Sequence, residues 1–334
     1  MSIDTQKFSS TLRRKSIDLA TQRLLITNFR GSEQVKDFKK PPNCNGFGRV
    51  RHFHRFHSDG WPENPLPIDP AAHKLGIAGA TSDTMEAQVF QTASCNWRCW
   101  YCFVPFAWLN ADEDRASWLT VGELLDLYEE EPAPPHIIDL TGGQPDLTPE
   151  WVPWMMRELQ RRKLDQSVYL WSDDNLSTDY FWKYLSEEDI ELVKGYRNYG
   201  KVCCFKGFNS ASFSFNTKVR PELFAEQLAL FRRYLDLGID LYGYATFTAL
   251  DDANLATEMA RFCDELQAIH TNLPLRVVPL EIVEFTPTRS RMGDSHRQAI
   301  DVQWAAVECW NAELEKRFSS EFRSRAIYEI PLLP

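Results

Sequence analysis

The feature that most narrows what this chain can fold into is an alternation that begins near Glu86. From there to about residue 290, short apolar runs trade places with amphipathic helical stretches. This is the pattern of a mostly parallel sheet covered by helices, because each parallel strand needs a crossover, usually helical, to bring the chain back to the sheet. Strands are predicted at Ala87–Ala93, His136–Leu140, Ser167–Trp171, Lys201–Phe205, Ile239–Phe247 and Leu275–Phe285. Between them the helical spacing predicts Val121–Glu130, opened by Thr120 and Glu123 as a capping box. The next helix is expected to take Thr148 as cap and Pro149 as its first residue, with Val152, Met155, Met156 and Leu159 on one face. Further helices are expected at about Thr178–Leu185, Glu187–Gly195, Glu222–Leu237 (closed by Gly238) and Ala253–Ile269. The count is six βα-type units, an α/β class.

The flanks differ. Residues 1–85 are rich in Pro, His, Arg and aromatics with poor periodicity, which predicts an N-terminal extension packed on the core. Residues 86–290 form the core, and 291–334 supply a C-terminal helix and tail. A hydrophobic share of 43% over 334 residues suffices for one sizeable core. A net charge of −10 disfavours sequence-independent binding to nucleic acid or anionic membranes, which need a positive field. No apolar run reaches the roughly 18–20 residues that span a bilayer. Met1–Arg14 has no apolar signal core, so the expectation is a cytoplasmic protein with no membrane partner. In that reducing compartment, the eight cysteines are expected to ligate or lie buried rather than pair.

Three of the cysteines are clustered in Cys95-Asn96-Trp97-Arg98-Cys99-Trp100-Tyr101-Cys102, a C-x3-C-x2-C run. Thiolates are the usual ligands of iron–sulfur clusters. Three of them on one cubane leave an iron without a protein ligand, the open position that a catalytic metal needs. By spacing alone, a zinc site completed by a fourth residue and three buried thiols both stay open. The run follows the first strand, at the carboxyl ends where such sheets bind ligands. After the second strand comes Gly142-Gly143-Gln144-Pro145, whose glycines let a backbone approach a ligand closely, although an ordinary strand-to-helix turn is the plainer reading.

Together the cysteine run and this turn resemble the radical S-adenosylmethionine (SAM) superfamily, in which the turn is of GGEP type. The resemblance implies a partial (β/α)6 TIM-like barrel with a 4Fe–4S cluster on Cys95, Cys99 and Cys102. It implies SAM chelated to the fourth iron through its amino and carboxylate groups. An external donor such as a flavodoxin or ferredoxin supplies the electron that splits SAM into methionine and a 5′-deoxyadenosyl radical. The radical takes hydrogen from a substrate, small or macromolecular, that the resemblance does not specify. Gly142, Gly143, Gln144 and Pro145 are expected on the SAM amino group, with Gln144 departing from the family's common Glu.

Tyr101 matches the aromatic position whose surroundings pack on adenine; Ser172, Asp174 and Asn175 follow the third strand, where the family places polar groups near the ribose and carboxylate. Lys206 ends the fourth strand, within reach of the SAM carboxylate. Each has a plainer reading as core aromatic, polar turn or solvated lysine. Trp100–Pro105 and scattered residues from Phe205 to Gly238 (Lys206, Gly207, Phe224, Gln227, Leu228) are also similar to the activating-enzyme branch, which makes a glycyl radical on a partner protein.

Arg49, Arg51 and Arg55 interleave with His52, His54 and His57, near Phe47, Phe53, Phe56 and Trp61. That segment suits either a nucleotide or RNA contact or a strand with one solvated basic face. A metal on the histidines lacks an evident second shell. Adjacent Cys203 and Cys204 point to opposite faces of a strand, and with Cys44, Cys263 and Cys309 they are expected as buried thiols rather than an auxiliary cluster. Trp97, Trp100, Trp108 and Trp118 either shield the cluster or belong to the core. Outside enzymes, the alternative is a zinc-stabilised interaction protein.

Overall fold

The computed structural model describes residues 4–77 and 83–332, so parts of the expected N-terminal extension (1–3, 78–82) and tail (333–334) lie outside the described residues. The chain opens with α1 (Thr5–Ser16), β1 (Ile17–Asp18), β2 (Arg23–Thr27), β3 (Gly48–His54) and α2 (Ile68–Leu75). Then come β4 (Thr84–Phe90), β5 (Ala116–Thr120), α3 (Val121–Glu129), β6 (Ile137–Leu140), α4 (Trp151–Arg161) and β7 (Tyr169–Asp174). After α5 (Tyr180–Tyr184) and α6 (Glu187–Gly195) follow β8 (Tyr199–Phe205), α7 (Ser210–Thr217), α8 (Leu223–Asp236) and β9 (Leu241–Ala245). The chain ends with α9 (Leu255–Ile269), β10 (Val277–Pro279), α10 (Thr286–Arg289), α11 (Asp294–Arg317) and α12 (Ser320–Arg323).

The main sheet has seven strands in the order β10-β9-β8-β7-β6-β4-β3. From β4 to β10 they are parallel and succeed one another in chain order, while β3 adds antiparallel to the free edge of β4. Such succession is the connectivity of a TIM-like barrel. The sheet is curled, since Phe53 at one edge and Val278 at the other share one apolar cluster on its inner face. The architecture is therefore α/β, an open half-barrel.

Strand periodicity sorts side chains between two cores. On β7, Tyr169 and Trp171 enter the inner cluster, whereas Leu170 enters the outer one under the helices. Tyr169, Trp171 and Tyr242 fill part of the lumen, with ring centroids 6.0 and 5.5 Å apart. Gly200 faces them, and a Cβ there would stand 2.2 Å from Tyr169 Oη and 2.8 Å from Trp171.

Several expected boundaries move for local reasons. The capping box of Thr120 and Glu123 forms as expected. The helix expected from Thr148 begins at Trp151 instead, because Pro145–Leu147 makes a 3-10 turn and Thr148 Oγ1 bonds back to Pro145 O at 3.3 Å. The third strand runs on through Ser172, Asp173 and Asp174, which were expected to form a turn. The sixth shrinks to three residues, and the C-terminal helix starts at Asp294. The segment before Glu86 is more than a cover: it contributes β3 to the main sheet, and β2 pairs with β5 in a second sheet (β1-β2-β5). No described helix is long and apolar enough to cross a membrane.

Gly200→Ala forces a methyl into this filled lumen, an overpacking change that costs about 1–3 kcal/mol. Thermal unfolding should show a lower midpoint for this variant; an unchanged midpoint would contradict the described packing.

Candidate functional site

The cysteine run begins where β4 ends, and backbone hydrogen bonds hold it open to one side. Cys95 N donates to Leu109 O (3.1 Å), Ala93 N to Leu25 O (3.1 Å) and Trp100 N to Asn216 O (3.2 Å). Arg98 folds under the run and donates to Cys95 O (2.5 Å) and Trp97 O (2.8 Å). Cys95, Cys99 and Cys102 then line one wall of a cavity of about 500 Å³, within the usual range for small-molecule sites. Tyr101, Gly142, Gly143, Gln144, Pro145, Asn175 and Lys206 line the same cavity.

The two glycines are required by contact between elements. Their φ values are +80° and +67°; a Cβ on Gly143 would lie 2.4 Å from Ser94 O, and one on Gly142 2.5 Å from Gln91 Cγ. The close approach lets Gln144 N donate to Ser94 O at 2.7 Å, joining the turn to the cysteine run. The Gln144 side chain is wholly committed: Nε2 donates to Asp174 Oδ1 (2.7 Å), and Oε1 accepts from Asn175 N (2.9 Å). A glutamate at 144 would set a carboxylate against Asp174, which accounts for the amide.

Of the expected site residues, Ser172 and Asp174 do not line the cavity. Because the strand extends through them, period two turns both to the outer face, where Ser172 meets Tyr199 Oη at 2.8 Å and Asp174 anchors Gln144 and Leu176 N. Asp173, of the opposite parity, lines the cavity in their place. Asn175 stays at the site, its Nδ2 3.8 Å from Cys95 Sγ. Tyr101 is buried and hydrogen-bonded to Thr246 Oγ1 at 3.1 Å. Lys206 is buried rather than solvated; burial disfavours its charge, but Cys204, Tyr101, Cys99 and Cys95 around it outweigh that and raise its pKa.

The basic segment is neither a solvated face nor an exposed patch. Arg49 and Arg51 turn into the cavity, Arg55 pairs with Asp69, His52 with Glu86 (2.9 Å), and His54 meets Lys39 (2.7 Å). Trp97 and Trp100 are buried behind the cysteines, whereas Trp118 lies on β5 in the second sheet. Cys44, Cys203, Cys204 and Cys263 are buried free thiols; Cys309 is half-buried.

Sequence reasoning missed Thr141 and Asp173 as cavity-facing groups, and the parity of Trp171 and Asp173 was the available signal for the second; Arg49 and Arg51, offered as part of a ligand-contacting segment, do line the cavity. It also missed the outer-face network behind Gln144. There Lys201 Nζ bonds Asp146 (2.6 Å) and lies 3.7 Å from Asp174, and Tyr234 Oη also donates to Asp146 (2.6 Å). Burial and the neighbouring Asp174 push Asp146 up to about 7.

Burial pushes the Cys95 thiol up to about 11 and Cys99 to about 12, so binding a metal group must displace their protons. Arg98 and Lys206 favour the thiolates. Among the described residues, no three His, Cys, Asp or Glu side chains gather closely enough to hold a single metal ion. The donor set itself, three thiols lining one cavity with Arg98 and Lys206 acting on them, is of the kind that iron–sulfur clusters take.

No family model and no curated protein matches the chain. Among solved structures, SuiB of Streptococcus suis bound to S-adenosylmethionine aligns with 60% of this chain and 41% of its own, at 13% identity and a TM-score of 0.42. SuiB bound to the precursor peptide SuiA aligns with 70% of this chain and 61% of its own, at 11% identity and a TM-score of 0.37. Each alignment spans less than two thirds of the SuiB chain. At such scores the superpositions place neither fold nor function, which rest on this chain's own residues.

Gln144→Glu should lower stability by at least about 2 kcal/mol, since the lost donor leaves two buried carboxylates face to face. Adding Asp174→Asn should recover part of the loss in denaturant titrations; equal stability of Gln144→Glu and the native chain would refute the contact. The Asp146 contribution has a definite sign. A carboxyl held at about 7 when folded, against an ordinary 3.8, stabilises fully below pH 4 and loses that stabilisation as pH rises through 7. Asp146→Asn should therefore flatten the decline in stability between about pH 4 and 7.

Proposed function

We propose that this chain is a radical SAM enzyme, its sheet and helices a partial (β/α)6 barrel, with Cys95, Cys99 and Cys102 holding a 4Fe–4S cluster and the adjoining cavity taking SAM. One observation supports the reading above others. The C-x3-C-x2-C run and the Gly-Gly-Gln-Pro turn, far apart in sequence, meet through Gln144 N and Ser94 O on the rim of one cavity at the carboxyl ends of parallel strands. A cluster held there by Cys95, Cys99 and Cys102 would, when reduced, supply the single electron for cleavage of SAM and so the means for hydrogen abstraction from a substrate.

The chain's own groups have distinct tasks in this reading. Backbone carbonyls of Gly142–Pro145 would accept from the amino group of SAM, and Gln144 orients the turn rather than offering a charge. Lys206 meets the SAM carboxylate from within the wall, where a buried cation acts more strongly than in water. Tyr101 and the apolar wall beside it pack on adenine, and Asn175 sits beside Cys95 to bridge sulfur and SAM. Arg98 and Arg291, the latter donating to Cys102 O at 2.5 Å, offset the negative charge of three thiolates. Trp97 and Trp100 keep water from the back of the site. A flavodoxin- or ferredoxin-type donor and a cytoplasmic setting complete the proposal.

Anaerobic reconstitution should load about four irons per chain with visible iron–sulfur absorption. Reduction in the presence of SAM should then release 5′-deoxyadenosine, detected by mass spectrometry, and Cys99→Ala should lose both signals. Native turnover by Cys99→Ala, or zinc without iron in the anaerobically purified chain, would overturn the proposal.

A further inference from the structure

Beside the packed aromatics of the lumen, the cavity carries charge. Arg49 and Arg51, two residues apart on β3, face the same side, and Arg51 Nη1 reaches Asp139 Oδ2 at 3.1 Å. Asp173 accepts from the Thr141 hydroxyl. Arg49 is different: among the described residues its guanidinium has no carboxylate partner and donates no hydrogen bond, and its Nε is sealed from solvent. The guanidinium carbon lies 5.5 Å from the Phe38 ring and 5.5 Å from the Phe103 ring, themselves 6.0 Å apart. Burial lowers the Arg49 pKa to about 10, which leaves it charged at neutral pH.

An Nε sealed from solvent without an acceptor is costly in a folded chain, and although Asp139 and Asp173 act on Arg49 through space, neither bonds its donors. The cavity is the open side from which an acceptor can arrive. Position sets it apart from the cation assigned to SAM: Arg49 pairs with Val89 on β4 at one edge of the sheet, whereas Lys206 follows β8, with β4, β6 and β7 between. Charge selects the ligand. With Lys206 given to SAM and Arg51 paired with Asp139, Arg49 is the cavity-facing arginine of β3 that has no salt bridge among the described residues, a single charge that a monoanion matches. A dianionic phosphate would meet two nearby carboxylates. The planar guanidinium matches a carboxylate through paired N–H donors, and the two rings flank it with apolar surface.

We propose that Arg49 is the docking point for a carboxylate on the substrate, held between Phe38 and Phe103, so that the substrate is a small monocarboxylic acid or presents one such end group. The site deepens the radical SAM reading and rests on it only for the reaction that follows docking.

The test uses benzoate as probe, with neutral benzamide and dianionic phenyl phosphate as controls, titrated calorimetrically into the purified full chain with and without cluster and SAM. Benzoate should bind, benzamide should bind at least tenfold more weakly, and Arg49→Gln should lose at least tenfold in benzoate affinity, with partial recovery in Arg49→Lys. Arg49→Met should unfold at the same temperature as the native chain or higher, because it removes a sealed Nε that has no acceptor and a charge that forms no salt bridge among the described residues. The inference is overturned if benzoate binds Arg49→Gln as it binds the native chain, if phenyl phosphate outcompetes benzoate, or if Arg49→Met unfolds well below the native chain. It is also overturned if Arg49→Gln loses SAM affinity as steeply, which would put Arg49 on SAM. A chain that carries the cluster and ignores benzoate fails this inference alone; one that binds benzoate through Arg49 without ever taking iron fails only the radical SAM reading.

Discussion

The hydrogen bond from Gln144 N to Ser94 O, 2.7 Å long, holds the two halves of the site in register. It exists only because Gly142 and Gly143 leave no Cβ between the turn after β6 and the segment that leads β4 into the cysteines. Everything near it inherits that closeness. Asn175 is brought beside Cys95 because its backbone N–H is tied to the same Gln144 whose amide faces Asp174. A change at any of these groups displaces the turn relative to the thiols, and with it the geometry in which a ligand can bridge them.

The curled sheet separates two kinds of buried polarity. On the outer face Lys201 and Tyr234 both donate to Asp146 Oδ2, while Asp174 Oδ1 accepts from Gln144 and braces the turn from behind. On the inner face Arg51 pairs with Asp139, while the Nε of Arg49 has no hydrogen-bond partner among the described residues. A polar group left without a partner on the cavity side carries a cost that a bound ligand relieves. The same alternation of strand residues makes both, so Asp173 and Asp174 are neighbours in the chain but belong to opposite sides of the wall.

Much of the scaffold was legible in the chain. The strands of the βα series and most of its helices were found, all but the last strand to within a few residues, since their apolar periodicities are local and strong, whereas β1, β2, β3 and β5 were not expected. The cysteine run and the glycine turn were legible as motifs, and the structure lines one cavity with both. The sequence misled where a local cue competed with long-range pairing. Ser172 to Asn175 has the composition of a turn, yet β6 and β8 flank it and draw three of those residues into the sheet. Thr148-Pro149 has the composition of a helix start, yet a preceding 3-10 turn takes up the threonine. The basic segment 49–57 resembles a surface patch only until β3 is paired with β4 and turns Arg49 and Arg51 inward.

By itself, then, the order of residues determined the βα succession and the thiol spacing, because each depends on neighbours along the chain, whereas the need for glycine at 142 and 143 comes from Gln91 and Ser94 across the fold. Tertiary structure alone decided which carboxylate of the Asp173-Asp174 pair enters the cavity and that Gln144 serves as a brace. It also left Arg49 waiting across from Lys206. Those outcomes follow from strand register and sheet curvature, which join residues far apart in the chain and leave no periodic trace in any one stretch of it.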